Sequence, residues 1–194
     1  MRSFRYFLLS VTGLALTLTL GMGSAWSAEN YRIDPAHSFV AFSISHLGFS
    51  LLQGRFNTIS GHFTYDKEKM ENSAITVDVA TNSIDTNHAE RDKHLRSKDF
   101  LDVEQFPKAS FVSSKFTEKD GKGTLEGKFT LHGVTKDVVI PVTFIGAGKD
   151  PWGGSRRGYS AKLPIKRGDY GIQHNLGPAA EEMNLEIFIE GIRE

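Results

Sequence analysis

The twenty residues LEGKFTLHGVTKDVVIPVTF (125–144) carry the period of a β-strand on both sides of a turn. Leu125, Gly127, Phe129 and Leu131 alternate with polar residues, and beyond His132-Gly133 the positions Val138, Ile140, Val142 and Phe144 resume the same spacing. Successive side chains of a strand point to opposite faces, so a period of two predicts one buried and one solvated face.

The same period extends in both directions. Val40, Phe42 and Ile44 show it, as do Ile75, Val77 and Val79. Tyr159, Ala161, Leu163 and Ile165 repeat it, and Leu185, Ile187 and Ile189 alternate with Asn184, Glu186, Phe188 and Glu190. Asp120-Gly121, Asp150-Pro151 with Gly153-Gly154, and Gly168-Asp169 punctuate the runs as turns. Short strands separated by turns predict an all-β antiparallel meander. About eight strands would close into a barrel, either filled by side chains or hollow enough for one ligand. A two-sheet sandwich fits the periodicity equally well.

One segment breaks the pattern: TNSIDTNHAERDKHLRSKDFLDVEQFP, residues 81–107. Asn87 is the expected helix cap, Ala89 to Leu95 favours helix, and Leu95, Phe100 and Leu101 offer an apolar side. So long a connection in a compact β domain predicts either a lid over one end of a barrel or a crossover helix that covers that end.

The chain begins with a signal-peptide pattern. Arg2 and Arg5 precede an uncharged apolar run from Phe7 to Met22, and small residues follow. Cleavage after Ser27 sets Ala25 and Ser27 at the small-residue positions, and cleavage after Ala28 is the neighbouring alternative. The expected organisation is therefore a signal peptide at 1–27 and one domain at 28–194. Removing the first 27 residues takes two Arg and no acid from a chain of 23 basic and 23 acidic residues, leaving 21 against 23, a net charge of −2. That balance argues against nonspecific nucleic-acid binding. The absence of Cys excludes a disulfide scaffold, a thiolate metal site and a cysteine nucleophile.

No enzymatic motif is present. G-x-S-x-G, HExxH, GxGxxG after a strand and GxxxxGK[ST] are all missing. His88 and His94 are six residues apart, whereas two ligands on one helical face need three or four, so a metal-assisted hydrolase on these residues with His174 depends on tertiary coincidence. The remaining signal is charge. Arg91, Lys93, Arg96 and Lys98 cluster in the long segment, and Arg156-Arg157 form a second group; at a barrel mouth such cations suit an anionic head group.

Five stretches together resemble the YceI-like family of exported polyisoprenoid-binding proteins: His46-Leu47-Gly48-Phe49, the run from Asp85 through NHAERDKHLR to Arg96, Leu131-His132-Gly133-Val134-Thr135-Lys136, Asp150-Pro151-Trp152-Gly153-Gly154, and Asn175-Leu176-Gly177-Pro178. They follow the family order along nearly all of the chain beyond residue 28. His132 stands where a polar turn residue such as Asn is expected. The resemblance implies an extended eight-stranded antiparallel β-barrel, lipocalin-like, with one helical segment. It implies a periplasmic protein whose apolar channel sequesters or carries a long-chain isoprenoid lipid, a polyprenyl pyrophosphate or a quinone-type tail. It implies no catalytic residue and no cofactor beyond the lipid.

On that reading Val40, Phe42, Ile44, Phe49, Val77, Phe111, Phe129, Phe144, Leu163 and Ile187 line the channel. Asn87, His88, Arg91 and His94 meet the head group. Lipid donors or acceptors in the membrane are the expected partners, and the oligomeric state is open, a homodimer included. The alternatives are an accessory of a membrane redox system acting through a bound quinone, and the histidine-based hydrolase.

Overall fold

The computed structural model describes residues 28–194, so the expected signal peptide at 1–27 lies outside the described residues. The elements are β1 (Glu29–Ile33), β2 (Phe39–His46), β3 (Ser50–Phe56), β4 (Ile59–Tyr65), β5 (Ala74–Ala80), β6 (Ile84–Asp85), α1 (Ala89–Arg96), β7 (Lys108–Lys119), β8 (Lys122–Leu131), β9 (Val134–Lys149), β10 (Ser155–Lys166) and β11 (Glu182–Arg193).

Strand pairing runs β1-β4-β5-β7-β8-β9-β10-β11, and β11 returns to β1, which closes the sheet. β2 continues β1 along the same edge of β11: Ile33 faces Gly191, residues 34–38 bow outward, and Phe39 faces Phe188. β3 with β4, and β5 with β6, likewise act as single bent strands. The architecture is thus a closed eight-stranded antiparallel barrel with one helix, and closure excludes the sandwich. Closure also leaves few unpaired edges.

Tight turns of one kind join several strands. Asp120-Gly121 and His132-Gly133 both have positive φ at each residue, as does Leu47-Gly48. That backbone matches the right-handed twist of the flanking strands. Large rings fill the barrel by seating against glycines: a Cβ at Gly54, Gly127 or Gly191 would collide with Phe42, Phe111 or Phe63 respectively.

Strand parity is interrupted in β7. Ser113 pairs with Gly127 while Lys115 pairs with Glu126, so one extra residue is inserted. The bulge sends both Phe111 and Phe116 inward although they are five residues apart. Strict alternation over this stretch therefore fails, which is why β7 is not evident from period alone.

Helix α1 packs beside the end of the strand order, where β6 pairs with β3. Arg96 donates from Nε to the Asn82 carbonyl at 2.7 Å and from Nη2 to the Ile84 carbonyl at 2.6 Å, satisfying acceptors that no strand reaches. The buried Asp92 carboxylate accepts from the Thr86 N–H at 2.9 Å and from its hydroxyl. Asn87 is not the cap: His88 holds that position, its Nδ1 accepting from the Arg91 N–H at 3.3 Å. Asn87 instead takes φ +60°, and its N–H binds the Asp85 carboxylate. The helix is short and polar, so tertiary anchors rather than an apolar stripe hold it.

Candidate functional site: a two-chambered apolar cavity

The inward faces of the strands enclose a cavity with about 170 Å³ open to the centres of water-sized spheres. One water position needs roughly 10–15 Å³ on that measure, so the space is far larger than a packing defect. Val40, Val77, Phe111, Phe129, Leu163 and Ile187 line it, as do Phe56, Phe63, Phe116, Ile140 and Val142. A second chamber of about 300 Å³ adjoins it. Phe56, Leu101, Ile172 and Met183 line both chambers and form the boundary between them.

The inner chamber ends in tyrosines. Tyr65 and Tyr159 contribute to its wall, and the Arg157 guanidinium lies 3.5 Å from the Tyr65 ring centre. Arg157 Nη1 donates to the Tyr159 hydroxyl at 2.9 Å, which donates to Glu118 at 2.8 Å. Burial pushes the Tyr159 phenol far above its ordinary pKa; Arg157 opposes that shift, and Glu118 adds to it. The phenol is therefore a neutral donor.

The second chamber is apolar inside and cationic at its rim. Phe42, Ile44, Leu95 and Phe100 line it together with Arg91, His94, Arg167 and His174. Arg167 is 7% exposed and donates only to backbone: to Ala180 at 2.7 Å, to Ile172 at 3.3 Å, and to His174 at 3.3 and 3.4 Å. Burial lowers its pKa, and Glu181 acts on it in the opposite direction through space. Arg91 donates to the Thr86 hydroxyl and carbonyl, each at 2.7 Å. Neither guanidinium is paired with a carboxylate among the described residues. Two such cations beside an apolar chamber create a potential that favours an anion.

The expected site residues therefore separate. Six of the channel set line the inner chamber, while Phe42 and Ile44 line the second. Phe49 does neither: it is 87% exposed, because it sits at the β2–β3 turn where no strand faces it. Phe144 lines neither chamber. It keeps the inward parity of β9, yet packs against Tyr159 (5.6 Å between ring centres) and beside Arg157.

Of the expected head-group set, Arg91 and His94 reach the second chamber, whereas His88 is committed to the helix cap and Asn87 to Asp85. Arg167 and His174 join this rim from a loop remote in sequence. Phe56 and Phe63 come from strands with weak alternation, and only the β7 bulge turns Phe116 inward.

The histidines do not assemble as a metal triad. The rings of His94 and His174 approach to 5.5 Å between centres, but His94 Nε2 is bonded to Asp99 and His88 lies at the cap. Metal-type ligand atoms of Asp34, His37 and Glu190 do converge within 4.8 Å among the described residues. Arg156 already supplies the positive charge there, through Nη1 to Asp34 and Glu190 and through Nε to Asp150. Arg156 is thus neutralised and unavailable to a ligand's head group, whereas its neighbour Arg157 turns into the barrel.

The fold and the site define a closed β-barrel built around an apolar cavity with two arginines in the wall of its second chamber. The chain belongs to the YceI-like family, whose domain model matches residues 31–191. A UPF0312 protein of Pseudomonas aeruginosa is 44% identical over 187 residues, spanning 95% of this chain and 98% of that relative. The crystal structure of the Campylobacter jejuni YCEI protein superposes with a TM-score of 0.69 at 28% identity, covering 78% of this chain and 90% of that one. A polyisoprenoid binding domain from Saccharophagus degradans shares the fold with a TM-score of 0.63 at 17% identity, over 84% and 98% of the two chains.

Proposed function

We propose that this protein is an exported, periplasmic carrier or store for a long-chain isoprenoid lipid, and that it acts by binding rather than by catalysis. The observation that carries the reading is the union of the two chambers. The inner chamber offers an apolar wall to a hydrocarbon tail, and Arg91 and Arg167, in the wall of the second, place positive charge near where an anionic head such as a pyrophosphate would lie. The solved relative described as a polyisoprenoid binding domain supports the ligand class.

Energetics favour a carrier. At roughly 0.8 kcal/mol per buried CH₂, a tail of about forty carbons would gain more relative to water than the ~21 kcal/mol at which noncovalent affinity saturates. Such a lipid is never free in water, so the competing environment is a bilayer, itself an apolar solvent. Tail transfer is then close to balanced, and head-group contacts and channel fit decide its direction. Membrane donors and acceptors follow as partners.

The test is gentle purification from the native periplasm, native mass spectrometry and solvent extraction. A long-chain isoprenoid released in stoichiometric amount is the expected result. Protein that remains empty when such lipids are supplied would overturn the reading.

A further inference from the structure

The β2–β3 hairpin overhangs the second chamber and ends in exposed apolar side chains. Leu47 is 60% exposed, Phe49 87% and Leu51 68%. Two hydrogen bonds fix the turn: the Phe49 N–H donates to the His46 carbonyl at 2.9 Å and the Gly48 N–H to the Ser45 hydroxyl at 3.1 Å. The apolar side chains are therefore held outward by ordered backbone.

The turn also breaks a local rule. Leu47 has φ +54° and Gly48 φ +79°. A turn of this shape favours Asn or Asp before Gly, because a bulky residue is strained in the left-handed region. The matching turns in this barrel have Asp120 and His132 at that place. Leucine is held there against backbone preference, with its side chain partly on the second chamber and 60% exposed.

The surroundings indicate what covers it. Residues 35–65 contain no carboxylate and one fixed charge, Arg55, while the exposed Glu181 and Glu182 lie beside the tip where β11 begins next to Ile44. His46 and Leu47 themselves line the second chamber, whose rim carries Arg91, His94, Arg167 and His174. Exposed Lys93 and Lys98 lie on and just beyond α1, with Glu90 and Asp99 near them and Asp99 bonded to His94. Three projecting side chains supply about half of the ~800 Å² per partner that a stable protein interface buries. They do match the shallow insertion by which apolar groups with flanking cations hold a bilayer surface.

We propose that the Leu47–Leu51 tip docks onto a lipid bilayer and sets the mouth of the second chamber against the head groups. This deepens the carrier reading, on which it rests, by naming where the lipid enters.

Flotation with vesicles of phosphatidylcholine and phosphatidylglycerol, free of isoprenoid, reads docking alone. The protein is expected to float with these vesicles. Phe49→Asp and Leu47→Asp should each lower vesicle binding at least tenfold with unchanged circular dichroism. Trp152→Asp, at an 80% exposed site on a different loop, should leave it intact. Phe49→Trp in a Trp152→Phe background should show a blue-shifted emission when vesicles are added.

Wild-type protein that stays at the bottom of the gradient, or Phe49→Asp that floats like wild type, overturns the proposal. So does a Phe49-dependent dimer in vesicle-free sedimentation, which would make a second copy the occupant. Protein that floats yet yields no isoprenoid on extraction leaves docking standing and removes the carrier reading.

Discussion

Adjacent arginines show how much a single residue's place depends on its surroundings. Arg156 is bound by Asp34, Asp150 and Glu190, and Arg157, next along the strand, enters the barrel against Tyr65. The first cluster should govern acid stability. His37 and Arg156 hold the Asp34 carboxyl at about 2, below its ordinary 3.8, against the opposing effect of burial. A depressed carboxylate pKa stabilises the fold above the unfolded value, and that contribution disappears as pH falls from near 4 toward 2. Denaturant midpoints measured between pH 6 and 2 should decline over that window. Arg156→Met leaves three carboxylates with no guanidinium among them. It should lower the denaturant midpoint at neutral pH and flatten the decline below pH 4, because the folded Asp34 pKa then lies closer to the unfolded one. At the other end, Arg91→Ala should reduce retention of an anionic isoprenoid several-fold, read as lipid extracted per mole of protein. Retention of an uncharged lipid should change little.

Elements answer to shape as much as to polarity. Phe42 lies across Gly54, and a Cβ there would meet both Phe42 and Thr86. Gly54→Ala should therefore destabilise by about 1–3 kcal/mol, seen as a lower thermal midpoint, although alanine is the smaller perturbation in most strands. The β7 bulge is the corresponding feature of that strand: without its extra residue Phe111 and Phe116 could not both face the cavity. In α1, Asp92 and Arg96 serve as anchors to Thr86, Asn82 and Ile84, so two of the charges of this unusual run are structural. Of its polar residues, Arg91 and His94 reach the chamber. Charge spacing shows that the run is distinctive; it does not show which charges are committed to backbone.

At the scale of the whole molecule, the hollow interior is itself testable. Ala161 lies on the wall of the inner chamber and is partly exposed to it. Ala161→Phe should fill space rather than displace packed atoms. Its expected outcome is unchanged or raised thermal stability with a severalfold loss of bound lipid, a combination that a solid core would not produce. Ligand that binds only the folded state should also raise the midpoint, so stripping the lipid should lower it.

The periods around Phe42, Val77, Phe129, Leu163 and Ile187 made strands and their inward faces readable, because side-chain direction in a strand depends only on adjacent backbone units. Turn chemistry at Asp120-Gly121 and His132-Gly133 was readable for the same reason. Closure of β11 on β1, the bulge that turns Phe116 inward, the burial of Arg167 beside Arg91, and the opposite fates of Arg156 and Arg157 belong to the tertiary structure. Each depends on atoms far apart in the chain, and the cavity most of all. Its volume is what remains after all the wall side chains have been placed, a sum over the whole barrel to which no local stretch of sequence corresponds.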